Sequence, residues 1–105
     1  MAADAYARVS KKPALVLVTN GPGVSNTLTG VLGAYQDSIP MIIISGQNPT
    51  NQIILDNSKL RQIGVQEAKV DNLVKDVTKS FYRITLDNLK QEKLISGLNE
   101  SVSGR

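Results

Sequence analysis

The sequence predicts an α/β fold: a parallel sheet with crossover helices, of the doubly wound, Rossmann-like type, in an incomplete domain. Two short apolar runs without alternation, residues 14–18 and 41–45, are typical of strands buried on both faces. Stretches with helical spacing of apolar residues stand before, between and after these runs, which is the order of parallel strands with crossover helices. A turn containing two glycines, residues 19–23, joins the first run to the helix behind it.

The first half of the chain is predicted to contain helix, strand, helix and strand. A helix comes first because small and apolar residues repeat every four positions. Pro13 ends that helix, since proline disfavours helical geometry in the residue before it. The second helix carries an apolar stripe at helical spacing, and the two strands are the apolar runs. The predicted bounds are 1–9 and 24–36 for the helices, and 14–19 and 41–45 for the strands.

The second half of the chain carries weaker signals. Residues 46–64 follow no regular pattern, and a long irregular stretch in a compact domain is usually functional or mobile. A helix is predicted over 66–76, a weak strand over 79–85, and a closing helix over 87–101 with Asp87 as its N-cap. The resulting sheet of three strands is thin, and its outer strands expose unpaired edges.

Both ends of the sequence read as interior segments of a larger domain. The chain starts inside the first helix, with no N-cap residue before Met1. The last residues, 102–105, resemble the lead-in to another strand rather than a stop signal. We therefore expect residues 1–105 to be the central part of one domain.

Composition excludes several classes of function. The 105 residues contain no His and no Cys, which removes the commonest general base, thiolate metal sites and disulfides. The net charge is +3, the Lys and Arg residues are interspersed along the chain, and aromatic residues are few. A nucleic-acid interface is therefore not expected. No apolar run approaches a membrane span, and no signal peptide is visible. A soluble, cytoplasmic protein is the resulting expectation.

The turn after the first strand has the form of a cofactor site at the carboxyl end of a parallel strand. Gly21 and Gly23 tolerate positive φ and let a ligand approach the backbone. No Lys follows, as a P-loop requires, and Asn26 stands where a dinucleotide fingerprint has its third glycine. The acidic residue expected after the next strand is replaced by Ser45-Gly46-Gln47. Both of these better-known sites are therefore disfavoured.

Several segments, in this order and at this spacing, resemble the N-terminal pyrimidine-binding (PYR) domain of thiamine-diphosphate-dependent enzymes. The nearest type is the acetolactate synthase large subunit and its relatives. Gly-Pro-Gly alone is a weak signal, whereas the ordered set is specific and covers most of the chain. The matching segments are Met1 to Arg8, Lys12-Pro13, Thr19 to Asn26, Asp37 to Pro40, Ser45-Gly46-Gln47, Gln66-Glu67 and Thr78-Lys79.

The resemblance implies a parent enzyme that joins or cleaves 2-keto acids, a transferase with three α/β domains. Its first domain grips the aminopyrimidine of thiamine diphosphate, and its third binds the diphosphate through Mg²⁺, which this chain would not bind. The active site forms between the first domain of one subunit and the third domain of its partner, so a homo-oligomer is implied. FAD is a further cofactor that the parent could hold.

The resemblance also implies roles for individual residues. Gly21, Pro22, Gly23 and Asn26 would contact the aminopyrimidine, and Gln66 would reach into the active site. Pro40 and Gln47 would lie along the substrate channel. The position of Pro22 and Asn26 on the turn supports their part of this assignment, whereas the residue pattern itself says nothing about Gln66.

Two departures from the family pattern bear on activity. The family's catalytic Glu stands upstream of the position of Met1, and neither Asp4 nor Glu67 matches it. The isolated chain is therefore expected to lack catalytic residues and to be inactive. The stretch between Gln47 and Gln66 is longer than in typical acetolactate synthases, which leaves the substrate open.

Two other hypotheses remain at this stage. One is a non-catalytic binding or interaction module that retains the fold, and the other is a generic nucleotide-binding α/β piece. Single residues also have ordinary structural explanations. Asn26 could cap its helix, Gln47 and Gln66 could satisfy loop backbone, and Glu67 could be a first-turn acid.

Overall fold

A computed structural model describes residues 1–53, 59–85 and 91–103. Its order of elements alternates helices and strands through the first half of the chain and is helical in the second. The elements are α1 (Ala2–Ser10), β1 (Ala14–Val18), α2 (Pro22–Ser25), α3 (Leu28–Gln36), β2 (Met41–Ser45), a 3₁₀ turn (Thr50–Gln52), α4 (Val70–Val74) and α5 (Gln91–Val102).

The two strands form a parallel sheet, which confirms the predicted fold class. Ala14 pairs with Met41 and Val18 with Ser45, so the strands run side by side over their full length. The ladder continues past both ends, because Ala14 N–H donates to the carbonyl of Pro40 (3.1 Å) and Gly46 N–H to the carbonyl of Val18 (2.9 Å). The carboxyl ends of β1 and β2 therefore lie together at one edge of the sheet.

The single helix predicted over 24–36 is two helices, and it begins earlier than predicted. Pro22 starts α2, a position where the missing N–H of proline costs nothing. The amide and the hydroxyl of Thr27 both donate to the carbonyl of Val24, at 2.9 and 2.7 Å. A side chain that bonds back to the helix in this way bends it, and α3 starts only at Leu28.

The predictions for the second half were less accurate. Among the described residues, 79–85 form no strand, so the three-stranded sheet is wrong for this structure. The helix predicted over 66–76 is confined to α4, because Gln66 at φ +58° and Lys69 at ψ 78° both lie outside the right-handed helical region. The closing helix is confirmed as α5, while its predicted N-cap, Asp87, lies outside the described residues.

The described core is small and made of short side chains. Within residues 1–53, 59–85 and 91–103, no large side chain is fully buried. Leu15 and Leu17 of β1 are 64% and 76% exposed, so the expectation that both faces of the strands are buried is not met. The helix α1 packs on both strands and α5 on β2, and neither covers these two leucines. The buried apolar residues are Ala7, Ala14, Val24, Val31, Ala34 and Val74.

Candidate functional site

The chain makes a tight bend immediately after β1, where the sequence predicted a site. Asn20 is 8% exposed, and its side-chain oxygen Oδ1 accepts a hydrogen bond from Gly21 N–H at 2.8 Å. Gly21 has φ +56°, a conformation that glycine adopts without strain. The carbonyl of Asn20 accepts the N–H of Gly23 at 3.3 Å, which closes the bend.

Gln66, which is 45 positions further along the chain, lies directly against this bend. A Cβ atom built on Gly21 would lie 1.9 Å from the carbonyl oxygen of Gln66, so only glycine permits the contact. Gln66 itself has φ +58°, and a non-glycine residue in this conformation is strained. The structure thus brings together two residues that the resemblance alone had associated.

Pro22 and Asn26 occupy one exposed face next to this contact. Asn26 N–H donates to the carbonyl of Pro22 at 3.0 Å, which places the two residues one helical turn apart on the same side. Both are exposed, and Gly23 between them is half-buried. Asn26 is also the C-cap residue of α2, through its backbone N–H, so the alternative role of a helix cap stands beside the predicted ligand contact.

A cleft of about 100 Å³ opens at the carboxyl edge of the sheet. Asn20 enters it from the end of β1, and Gln47 and Asn48 enter it from the end of β2. The other walls come from the second half of the chain and mix apolar with charged side chains. These residues are Ile53, Leu60, Arg61, Glu67, Ala68, Lys69, Val70, Phe81 and Arg83.

The charges around the cleft are predominantly positive. The carboxylate of Glu67 accepts the N–H groups of Ile63 and Gly64, at 3.0 and 3.2 Å, and closes a turn. Glu67 is therefore not a first-turn acid of a helix, as one alternative held. Arg83 lies 3.4 Å from Asp71, while the structure gives Arg61 no ion pair with any described residue.

The predicted site residues are not all brought together. Gln47 lines the cleft, and Gly21, Pro22, Gly23, Asn26 and Gln66 form the bend beside it. Pro40 precedes β2 and lies at the opposite, amino-terminal edge of the sheet. The assignment of Pro40 to a substrate channel stays a prediction from the resemblance.

Sequence reasoning missed Asn20 and Arg61 as residues of the site. Asn20 lies within the turn 19–23, and its position directly after the first strand could have indicated it. Arg61 lies in the irregular stretch, where no pattern distinguishes it from a solvated surface arginine. Among the described residues, no group of acidic side chains could hold a metal ion. None of the helices in the described ranges has the length and apolar character needed to cross a membrane.

Comparison with known proteins adds an independent line of evidence. Residues 1–73 match the family described as "Thiamine pyrophosphate enzyme, N-terminal TPP binding domain". This match includes the bend, both strands and Gln66, which are the parts of the chain that build the site.

Individual relatives agree with the family match. The chain is 59% identical over 51 residues to the acetolactate synthase large subunit of Haemophilus influenzae, an alignment covering 49% of the chain and 9% of that protein. It is 43% identical over 77 residues to the mitochondrial acetolactate synthase catalytic subunit of Saccharomyces cerevisiae, covering 73% of the chain and 10% of that protein. The chloroplastic acetolactate synthase of Arabidopsis thaliana is 35% identical over 83 residues, or 79% of the chain and 11% of that protein. The chain thus spans about a tenth of the length of these relatives.

Proposed function

Because this chain belongs to the thiamine pyrophosphate enzyme family, through its N-terminal TPP-binding domain, we propose that it supplies the aminopyrimidine half-site of an acetolactate synthase-like enzyme. The observation that carries the proposal is the contact between Gly21 and Gln66 at the carboxyl edge of the sheet. It joins the glycine bend to a residue that the family resemblance assigns to the active site.

The residues present fit one end of thiamine diphosphate and not the whole molecule. The exposed face of Pro22 and Asn26 is open to one ring, and Gln66 lies on the adjoining segment. Whole-ligand sites have volumes of roughly 300 Å³ or more, whereas the neighbouring cleft has about 100 Å³. An open half-site of this kind needs a second surface to enclose the cofactor.

The proposal extends to the chemistry of the whole enzyme. When bound, thiamine diphosphate would supply the nucleophilic carbon for the chemistry of 2-keto acids. In the proposed enzyme, a transferase, another domain of a partner subunit in a homo-oligomer holds the diphosphate and Mg²⁺, and FAD is a further cofactor that the enzyme could hold. This chain's own residues bind the aminopyrimidine and fix its orientation. The cytoplasm is the proposed location.

A pair of glycine substitutions tests the half-site. Gln66→Gly removes the side chain and relieves the positive φ, so the folded state is retained while the ligand contact is lost. Ser38→Gly relieves a similar φ of +57° at a remote turn and serves as the matched control. We expect thiamine binding, measured by saturation-transfer NMR, to weaken about tenfold in Gln66→Gly only. Equal binding by both variants would contradict the proposal, as would stronger binding of ATP than of thiamine.

A further inference from the structure

The bend after β1 contains a pair of residues that is prone to spontaneous chemical change. Asn20-Gly21 is the one place in the 105 residues where a glycine follows an asparagine. Because glycine has no Cβ to shield its backbone nitrogen, that nitrogen can approach the side-chain amide of the asparagine before it. Bond formation between the two groups expels ammonia and closes a succinimide ring. This pair is therefore the first candidate in the sequence for deamidation.

The structure holds the two reacting groups of this pair in contact. The N–H of Gly21 donates to Oδ1 of Asn20 at 2.8 Å, and Oδ1 is bonded to Cγ, the carbon that the nitrogen attacks. Holding reactants together in this way removes much of the entropic cost of a reaction. Attack then requires two changes. The nitrogen loses its proton, and a rotation about the Cβ–Cγ bond turns the face of the side-chain carbonyl toward it.

The packed bend opposes both changes. The N–H of Gly21 is engaged as a hydrogen-bond donor, which keeps the proton on the nitrogen. Asn20 is 8% exposed, so its close-packed side chain has little room to rotate. The carbonyl oxygen of Gln66 fills the space where a Cβ of residue 21 would lie, and so covers the bend. The reaction is therefore blocked for as long as Gln66 stays in place.

Gln66 belongs to a surface turn, residues 63–67. Within the described ranges, residues 59–69 contain no helix or strand, and Val65 is 77% exposed. Segments of this kind open at a lower free-energy cost than the whole fold. Glu67, at the end of the turn, lines the cleft that also borders the bend. Lifting the turn therefore uncovers the bend and widens the path for water in a single movement.

We propose that Asn20 is a latent deamidation site, which the turn 63–67 keeps closed and which reacts when this turn opens. A hydroxide ion from water removes the proton from the Gly21 nitrogen, which then forms a bond to Cγ of Asn20. The bond from Cγ to Nδ2 breaks, and Nδ2 takes a proton back from water and leaves as ammonia. Water then cleaves one of the two carbonyl–nitrogen bonds of the ring that involve the Gly21 nitrogen, which leaves aspartate or isoaspartate.

Either product alters the bend irreversibly. Aspartate adds a negative charge where Asn20 lines the cleft. Isoaspartate routes the main chain through the former side chain, which adds one atom between residues 20 and 21 and displaces Gly21 from Gln66. Loss of the aminopyrimidine half-site is a consequence that rests on the proposed function, whereas the modification itself does not.

The test is peptide mapping by mass spectrometry of the 105-residue chain during incubation at mildly alkaline pH. In urea, we expect Asn20 to convert to aspartate and isoaspartate before every other asparagine. In the folded chain, we expect the same conversion to be slower by about tenfold or more. Equal rates in the two conditions, or earlier conversion of another asparagine in urea, would overturn the proposal. No cofactor is added, so the result is independent of the proposed function.

Gly64→Ala tests whether the turn controls the reaction. A Cβ atom on Gly64 would lie 2.8 Å from the carbonyl oxygen of Gln52, so the new methyl group displaces the turn 63–67 from its neighbour. We expect conversion of Asn20 to accelerate about threefold or more while the amide signals of β1 and β2 in the ¹H–¹⁵N spectrum are retained. A folded Gly64→Ala chain that converts no faster than the unmodified chain would overturn the proposal.

Gly97→Ala separates opening of the turn from unfolding of the whole chain. Apart from its chain neighbours and the backbone of its own helix, Gly97 has no described atom within 4 Å of an added Cβ, and alanine favours α5. We expect the rate at Asn20 to stay unchanged. A rate slowed about two- to fivefold, the gain expected for alanine in a helix, would show that the chain must unfold and would overturn the proposal. This comparison decides the question even where Gly64→Ala fails to fold.

Discussion

At the scale of single residues, the site depends on a contact between two residues with positive φ. Gly21 and Gln66 both have positive φ, and the carbonyl of Gln66 occupies the space where a Cβ of residue 21 would lie. The first of these was predictable, since a glycine between a buried strand and a helix marks a sharp turn. The second was not, because φ at a glutamine is set by a contact 45 positions away rather than by its neighbours.

Gly21→Ala tests this contact. The new methyl group would need the space of the Gln66 carbonyl, 1.9 Å from its Cβ, and alanine at φ +56° is strained. We expect the free energy of unfolding to fall by about 2 kcal/mol or more, measured by urea denaturation. Gly33→Ala is the control: apart from its chain neighbours and the backbone of its own helix, no described atom lies within 4 Å of its Cβ, and α3 should gain about 0.5–1 kcal/mol. Equal stability of the two variants would contradict the account.

At the scale of elements, local pattern sufficed where a segment has an unbroken apolar run or a clear helical spacing of apolar residues. The strands β1 and β2, and helices α1 and α5, lie where the sequence placed them, within a few residues at their ends. The segment 79–85 failed because a strand requires a hydrogen-bonding neighbour, and neither β1 nor β2 pairs with it. It is held to α5 instead: the ammonium Nζ of Lys79 donates to the carbonyls of Glu100 and Ser103, at 3.2 and 2.6 Å.

The contact between residues 79–85 and α5, called the junction below, predicts a pH dependence of stability. Hydrogen bonds from Ser80, then from Tyr82 and Ser96, lower the pKa of Glu100 below its ordinary value of 4.5. A carboxylate whose pKa is lower in the folded than in the unfolded chain stabilises the fold at pH values above its unfolded-state pKa. This stabilisation is lost as the pH falls through the folded-state pKa. Stability should therefore decline below about pH 4.5.

Glu100→Gln should flatten this decline, measured by urea denaturation from about pH 3 to about pH 6. Asp76→Asn removes one charge from an exposed position near the end of α4 and should leave the decline in place. A Glu100→Gln profile parallel to that of the unmodified chain would show that the junction does not depend on this carboxylate.

At the scale of the whole molecule, the chain exposes more surface than a folded monomer of its mass. An 11.3 kDa globular protein has about 5,700 Å² of accessible surface, whereas this structure has 7675 Å². Part of the difference is apolar, including Leu15 and Leu17 on β1, an edge strand of the two-stranded sheet. Exposed apolar sheet edges favour association with other surfaces.

We therefore expect concentration-dependent self-association in sedimentation velocity experiments. Leu17→Lys places a charge on the exposed face of β1 and should shift the population toward monomer. Gln36→Lys adds the same charge at the exposed end of α3 and should have no such effect. A chain that stays monomeric at all concentrations and unfolds in a sharp thermal transition would refute this expectation.

The central claim is that the bend at Gly21 and the segment around Gln66 form one surface for the aminopyrimidine ring. It is tested most directly by mapping backbone amide shifts in the ¹H–¹⁵N spectrum while 4-amino-2-methylpyrimidine is added. The account predicts the largest shifts in residues 19–26 and 64–67, moving together with one apparent affinity. Shifts confined to α5 or to the exposed face of β1, or no saturable shift at all, would contradict it.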